Sequence, residues 1–464
     1  MGIARLSECV RNLKPDAFIG VPKSHLLRIV KRGAFSSVRH TITVGRKWLP
    51  WGGLTLDALL ERFGRGLASE SFPIADTKRS DAAAIVFTTG STGPAKGVVY
   101  AHGMFDAQTK MLRELFDIRP GDIDCPGFPL FALNSIALGM AAVIPDMNPA
   151  KPAQVDPAKF VEAIIDNGVT FSFGSPAIWR RVAEYCNARG LTLPTLKRVV
   201  SAGAPVPGDL IRDIKKMIPN GEVYIPYGAT ECLPAALFNG TDVLAETWQK
   251  TLRGDGICVG NTVHPTRLAI IRPSDRVIET METAQRAPDG EIGEICFSGP
   301  QTTKEYYGLP DAPRLAKIQY RGADWHRMGD VGHIGTDGRL WFCGRMKNRV
   351  IGTDESGQPQ VWYPDAIEPL FNVHPDAHRT ALVGIGKPGA ETPVLIVEPR
   401  AGRYPKTTDA EAKFIGELRT IAAAHPSLRG IQTFMFHPSF PVDIRHNIKI
   451  FREKLKVWAE TQAR

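Results

Sequence analysis

Ala82-Ala83-Ala84-Ile85-Val86-Phe87-Thr88-Thr89-Gly90-Ser91-Thr92-Gly93-Pro94-Ala95-Lys96-Gly97 is the stretch on which the reading of this chain turns. Its first six residues are a short apolar run of the kind that forms a buried strand. The ten that follow hold three glycines, four hydroxyl side chains and one lysine. Glycine lets backbone N–H groups approach an anion closely, hydroxyls add donors, and lysine supplies a compact positive charge. That is the composition of a loop that grips a polyphosphate, and taken alone it is equally that of a flexible surface turn. The Walker spacing Gly-x-x-x-x-Gly-Lys-Ser/Thr is absent.

Outward from this loop, apolar strands alternate with amphipathic helices over the first 230 residues. Residues 16–21, 85–88, 169–173, 199–202 and 223–226 read as strands, with helical patterns at 157–167 and 177–189 between them. Such alternation predicts an α/β fold with a largely parallel sheet, ligands sitting where loops leave the carboxyl ends of its strands. The 88–97 loop is expected to leave a strand in that way. From 258 to 343 the pattern changes to short strands (266–271, 294–298, 339–343) with Asp289-Gly290 and Asp337-Gly338 as hairpin signals, a small barrel or antiparallel sheet. After Lys347 a third region reads as a turn at 355–357, a helix at 364–371, strands at 380–385 and 393–398, a helix at 409–425 and a basic amphipathic end.

A chain of 464 residues is long enough for two or three domains and a large core. Lys and Arg number 57 against 48 Asp and Glu, a formal net charge of +9, but they are dispersed and no nucleic-acid module is present, so no nucleic-acid partner is expected. Seven cysteines without a C-x-x-C pair suit reduced thiols in a cytoplasmic protein, not a disulfide framework or a zinc site. His374 and His378 are four apart, but Pro375 and Asp376 between them suggest a loop rather than a metal-binding helix face. The opening residues show no signal-peptide pattern. The apolar stretch 128–145 is interrupted by Asn134, Ser135 and Gly139. A membrane span needs about 20 cleanly apolar residues, so this stretch reads as a buried helix beside a ligand pocket.

Four further segments suit the opening loop. Ser201-Ala202-Gly203-Ala204-Pro205 follows a strand and offers bare backbone for close packing against a flat ring. Tyr227-Gly228-Ala229-Thr230-Glu231 also follows a strand; its aromatic suits stacking on a base, and a hydroxyl beside a carboxylate suits Mg²⁺ bound to phosphate. Arg327-Met328-Gly329-Asp330 and Gly344-Arg345-Met346-Lys347 place an acid and bases near the last region boundary, an aspartate being suited to gripping ribose hydroxyls. Lys449-Ile450-Phe451-Arg452-Glu453-Lys454-Leu455 sets a lysine before an amphipathic helix. Each segment taken singly also reads as core, turn or solvated surface.

In this order the motifs resemble the adenylate-forming superfamily of acyl-CoA synthetases, luciferases and peptide-synthetase adenylation domains, and the likeness covers nearly the whole chain. The resemblance implies an adenylate-forming fold: residues 1–346 as a large domain with a barrel-like part at 258–343, and 347–464 as a small mobile α+β lid hinged near Lys347. It implies ATP and Mg²⁺. Thr88, Thr89, Gly90, Ser91, Thr92, Gly93 and Lys96 inherit the phosphate loop; Gly203, Ala204 and Pro205 the adenine-contacting turn; Tyr227, Gly228 and Ala229 the adenine side of the next motif; Thr230 and Glu231 its phosphate and metal positions; Asp330 and Arg345 the ribose contacts. Lys449 inherits the lysine that bridges carboxylate and α-phosphate.

Two departures from the superfamily pattern stand out. The segment from Pro441 to Lys449 lacks the usual glycine before the lysine and is longer. The region before the phosphate loop is shorter than in other members by roughly a hundred residues, which implies an open, apolar and aggregation-prone sheet edge. The wording at Asp124-Cys125-Pro126-Gly127-Phe128-Pro129-Leu130-Phe131, at Val206-Pro207 and at Arg445-His446-Asn447 resembles the bacterial β-lactone synthetases of olefin biosynthesis. That implies a long-chain 2-alkyl-3-hydroxyalkanoic acid as substrate and assembly with other enzymes of that pathway. The apolar stretch from Phe128 to Ile144, with Phe131 and Leu133 near its start, suits the lining of an alkyl tunnel and equally reads as core. His102 and His446 are the candidates for the base that takes the 3-hydroxyl proton. The alternatives are a long-chain acyl-CoA or acyl-AMP ligase and a non-catalytic nucleotide-binding homologue.

Overall fold

The strand and helix alternation is realised in two units. The computed structural model describes residues 2–47, 52–64, 74–88, 96–311, 313–442 and 450–463. It divides into Met1–Phe105 with Thr303–Pro313, and Asp106–Thr302 with Arg314–Arg464.

In the first unit β1 (Ala17–Gly20), β2 (His40–Thr43) and β3 (Leu54–Thr55) lie parallel, in register Ala17↔His40 and Ile42↔Leu54. The helices Pro22–Val30 and Leu56–Phe63 follow β1 and β3. Ile19, Val21, Leu26, Val30, Leu60 and Phe63 are all more than half exposed on these elements. β4 (Ala82–Phe87) and β5 (Gly97–Ala101) pair with each other, Ile85↔Val99 and Phe87↔Gly97, as a separate antiparallel ribbon. This corrects the expectation of a loop leaving a parallel sheet. The loop is the connection of a hairpin, because the apolar run beyond it (98–101) turns back onto the run before it. Tyr306 forms an isolated antiparallel bridge with Val98 on the far side of β5.

In the second unit the strands are β6 (Ile123–Asp124), β7 (Ala141–Ala142), β8 (Phe171–Gly174), β9 (Arg198–Ser201), β10 (Glu222–Ala229), β11 (Cys232–Asn239), β12 (Ile257–Thr262), β13 (Arg267–Ile271), β14 (Gly293–Ser298), β15 (Lys317–Tyr320), β16 (Ala323–Ile334) and β17 (Leu340–Arg345). Among the described residues they make one sheet, in the order β13-β14-β16-β17-β12-β11-β10-β9-β8-β6-β7 with β15 on β16. β6 to β10 pair in parallel, and every pairing from β10–β11 onward is antiparallel. The parallel half needs crossover helices, and these bring their own start signals. Pro157 and Pro176 stand at first helical positions, where no N–H is required, and the side chains of Asp156 and Ser175 cap Ala158 and Ile178. The helices Pro157–Asp166, Pro176–Arg189 and Gly208–Met217 bury Phe160, Ile164, Trp179, Val182, Ile211 and Ile214 against Val199 and Val223.

The antiparallel half is stapled by a charge. Arg327 on β16 binds both Glu294 carboxylate oxygens, and its other nitrogens donate to the carbonyls of Ser274, Arg276 and Leu315. Asp337-Gly338 closes the β16–β17 hairpin, with Gly338 at φ +79°. Asp289-Gly290 does not close a tight hairpin: β13 ends at Ile271 and β14 begins at Gly293, so the turn sits at the end of a long connection. The stretch 128–145 is also corrected. It forms a 3₁₀ turn (Pro129–Phe131), a helix (Ala132–Leu138) and β7, leaving Phe128, Leu130, Leu133, Ile136 and Ile144 exposed. Gly139, at φ +84°, ends that helix after two turns, too short a face to bury more than Ser135 and Leu138.

After Lys347 come the hairpin of β18 (Val350–Thr353) with β19 (Pro359–Trp362), the helix Pro364–Asn372, the antiparallel β20 (Ala377–Lys387) and β21 (Ala390–Pro399), the helix Thr408–Ala424, β22 (Thr433–Phe436) parallel to β21, and the helix Arg452–Gln462. No described helix is long and apolar enough to cross a membrane.

Candidate active site

The carboxyl ends of β9 and β10 carry two of the expected motifs. β9 ends at Ser201, which is fully buried with its Oγ lacking a hydrogen-bond partner. The next residues turn on Gly203, whose φ of +94° few side-chain residues adopt; Gly203 and Pro205 face solvent and Ala204 is half-buried. β10 and β11 are in register through Ala229↔Cys232, so Thr230 and Glu231 are the two residues of the connecting turn. Gly228 is required there, since a Cβ would stand 2.7 Å from the Cys232 carbonyl oxygen. A tight turn thus holds a hydroxyl and a carboxylate side by side at the end of the parallel half.

Opposite register on β16 and β17 brings Asp330 against Arg345. Arg345 Nε lies 3.0 Å from Asp330 Oδ1, and Tyr227 Oη donates to Oδ2 at 2.7 Å. Tyr227 packs between Phe297 and Phe342, so its ring is held by the core while its hydroxyl orients the acid. Burial pushes the Asp330 carboxyl up to about 6, with Arg345 and Tyr227 pulling it down. Oδ1 is buried and, despite Arg345, accepts no hydrogen bond. An acceptor left in that condition is suited to a hydroxyl donor from a ligand.

In the first unit Thr88 donates its N–H to the Lys96 carbonyl at 3.0 Å, closing the base of the hairpin loop. The Lys96 ammonium stands 5.0 Å from the centre of the buried Tyr306 ring. Thr89, Gly90, Ser91, Thr92 and Gly93 lie outside the described residues, as do His446 and Lys449. His102 is exposed at the start of the helix His102–Leu115. Lys347 pairs with Glu453 at 3.1 Å, tying the expected hinge position to the first turn of the last helix. Phe131 packs edge-on to Phe173 and Phe128, whereas Leu133 is 66% exposed.

Three buried charged groups were given no role of their own by the sequence. Lys317 on β15 is buried, and burial lowers its pKa to about 8 although Glu231, Cys232 and Asp324 act to raise it. Asp124 on β6 is buried, accepts from Ser135 Oγ at 2.5 Å and is pushed up to about 7 by burial. Glu368 binds Arg452 through both oxygens at 2.7 and 2.6 Å. A signal for Glu368 was present: an acid inside the apolar run Ala366-Ile367-Glu368-Pro369-Leu370-Phe371 requires a buried partner.

Residues 2–307 match the family model for AMP-binding enzymes. The chain belongs to the AMP-binding enzyme family. Within this family it is 46% identical, over 463 residues, to the olefin beta-lactone synthetase of Xanthomonas campestris pv. campestris and to that of Stenotrophomonas maltophilia. Each alignment covers 98% of this chain and 80% of the relative. The AMP-binding fold is matched by ATP-bound MatB from Rhodopseudomonas palustris, with a TM-score of 0.74 at 19% identity over 100% of this chain and 83% of that one. The α/β adenylate-forming architecture expected from the motifs is therefore the architecture found, and family membership supports the use of ATP.

Proposed function

We propose that the protein is an ATP-dependent, AMP-forming β-lactone synthetase acting on a long-chain 2-alkyl-3-hydroxyalkanoic acid. The observation that carries the choice is the 46% identity to two olefin beta-lactone synthetases over nearly all of this chain. Two features favour its first half: an orphaned buried acceptor on Asp330 fits a ribose hydroxyl, and the exposed Gly203 turn has bare backbone to offer adenine, with the hydroxyl and carboxylate of Thr230 and Glu231 assigned to phosphate and metal. Glu231, a carboxylate beside the Thr230 hydroxyl in a tight turn, would hold Mg²⁺ together with substrate phosphates. When bound there, Mg²⁺ supplies charge neutralisation to the phosphates.

In the first step a substrate carboxylate oxygen attacks the α-phosphorus, and the bond to the departing pyrophosphate breaks. Lys96, steadied by Tyr306, and the donors of the 88–97 loop take up charge on the leaving phosphates. Lys449 bridges carboxylate and α-phosphate. In the second step the substrate's own 3-hydroxyl attacks the acyl carbon, the acyl–oxygen bond to AMP breaks, and the hydroxyl proton passes to a base or to water. The four-membered lactone closes within one molecule, so holding hydroxyl and carbonyl together replaces a second binding event. The exposed apolar side chains at Phe128, Leu130, Leu133 and Ile136 fit an alkyl chain. Seven unbridged, buried cysteines support a cytoplasmic setting, in which assembly with enzymes handling the same water-insoluble chains keeps the product out of water.

Incubating the protein with ATP, Mg²⁺ and a 2-alkyl-3-hydroxy acid, without coenzyme A, is expected to give the lactone and AMP by mass spectrometry. An absolute requirement for coenzyme A would overturn the reading in favour of an acyl-CoA ligase.

A further inference from the structure

The helix Ala132–Leu138 is two turns long, turns Leu133 and Ile136 to solvent and buries only Ser135 and Leu138. A helix that short does not hold in water unaided, so what its buried face meets decides its setting. Leu138 packs with Phe116, Ile118 and Phe171. Ser135 Oγ lies 2.5 Å from Oδ2 of Asp124, the last residue of β6, and 3.2 Å from the Phe131 carbonyl oxygen. Asp124 is 3% exposed and Ser135 1%, and Asp124 Oδ1 has no hydrogen-bond partner. The acid is not at the carboxyl ends of the longer strands. It is level with Phe171 at the start of β8, roughly 10 Å of strand from Gly174 and Ser201, where β8 and β9 end.

Ser135 has one hydroxyl proton and two acceptors in reach. With Asp124 ionised, that proton goes to the carboxylate, the Phe131 carbonyl goes without it, and Oδ1 keeps negative charge in a buried setting with no donor. With Asp124 neutral, the acid proton goes to Ser135 Oγ and the serine proton to Phe131, so both contacts are hydrogen bonds and Oδ1 is an uncharged carbonyl oxygen. The geometry thus favours the neutral acid, the direction in which burial also moves its pKa. Resting on the β-lactone reading, in which the apolar side chains of 128–136 hold the alkyl chain, we propose that Asp124 and Ser135 are positioning residues: a clamp, closed while Asp124 is protonated, that seats the helix Ala132–Leu138 and with it the alkyl-binding side chains. β7 and β8 set Ala142 and Phe171 beside Asp124. The charged side chains around the clamp are Asp122, paired with Arg198 of β9 at 3.1 Å, and Arg113, which donates from the helix His102–Leu115 to the Ala137 and Leu138 carbonyls at 3.4 Å. A guanidinium keeps its charge across the range that ionises a carboxyl, so the Asp124 proton is the part that changes. Burial and Asp124 push the neighbouring Cys125 up to about 12, which keeps it a thiol.

Hydrogen exchange of the 132–138 amides in the full chain, taken as protection factors so that the intrinsic effect of pH is removed, tests the clamp. A carboxyl that holds its proton more tightly when buried than when free favours the closed state at low pH, and that advantage is lost as pH rises to its folded pKa. In the wild type, protection is expected to fall by at least about tenfold from pH 5 to pH 8. In Asp124→Asn, which keeps the hydrogen-bonding atoms without a charge, it should fall by less than about twofold. Ser135→Ala should start about threefold to tenfold lower at pH 5. Flat wild-type protection, an equal fall in Asp124→Asn, or undiminished protection in Ser135→Ala overturns the proposal. Over the same range the KM for a long-chain 2-alkyl-3-hydroxy acid should rise in the wild type and not in Asp124→Asn, while the two proteins share one pH profile for the KM of ATP. If exchange follows the proton and the KM for the acid does not, the tie to the alkyl chain falls. If no lactone forms at any pH, the β-lactone reading falls, and exchange alone still decides whether the clamp exists.

Discussion

A single lysine over a single ring carries the clearest residue-scale prediction. Lys96 has Tyr306 beneath its ammonium, an attraction worth roughly 0.5–2 kcal/mol depending on desolvation. Tyr306→Phe keeps the ring and should leave the KM for ATP close to wild type. Tyr306→Leu should raise it by about threefold to tenfold in a pyrophosphate-release assay. Asp124 gives a second, through pH. Its folded pKa of about 7 lies above the ordinary aspartate value, so the folded protein binds a proton that the unfolded chain releases. Stability should then fall as pH rises from about 4 to about 7 and level off above that, by a few kcal/mol at most. Thermal melts should show this slope in the wild type and lose it in Asp124→Asn; equal slopes would reject the assignment. At this scale the sequence was legible where chemistry is local. The Asp330 and Arg345 pair follows from motif order, but Tyr227 spending its hydroxyl on Asp330 does not, because the two are 103 residues apart and meet only through the sheet. Lys317 and Asp124 were unreadable because nothing local to either residue says what the fold will place around it.

Elements were legible by period and punctuation, and misread where pairing decided. The helical patterns expected at 157–167 and 177–189 are found at Pro157–Asp166 and Pro176–Arg189, each start marked in the structure by a capping acid or serine and a first-turn proline. β4 looked like a parallel strand because an apolar run reads the same whichever neighbour it takes; its partner, β5, lies beyond the loop and makes a ribbon. The 128–145 stretch was read by hydropathy as buried, yet a glycine stop leaves most of it outside. Arg327 shows how much one side chain can bind between elements. Replacing it with Met strands the buried Glu294 charge and the three carbonyls it serves, a loss of about 3–5 kcal/mol. Calorimetry should register a fall in Tm of at least several degrees; an unchanged Tm would mean that the staple is dispensable.

For the whole molecule, the Met1–Phe105 unit presents Ile19, Val21, Leu26, Val30, Leu60 and Phe63 to solvent over a small sheet. Apolar surface of that extent promotes self-association. Leu60→Lys combined with Val30→Lys should reduce light scattering of the purified chain at equal concentration, and no reduction would place the sticky surface elsewhere. The sheet of the second unit has a different consequence. Tyr227 stands on β10 and Asp330 on β16, and the path between them, through β11, β12 and β17, is continuous backbone pairing. Their separation is therefore held by backbone ladders as well as by the hydrogen bond between them. The strands between Tyr227 and Asp330 are thus the frame of that site, and displacement comes more cheaply to parts of the molecule that those ladders do not tie.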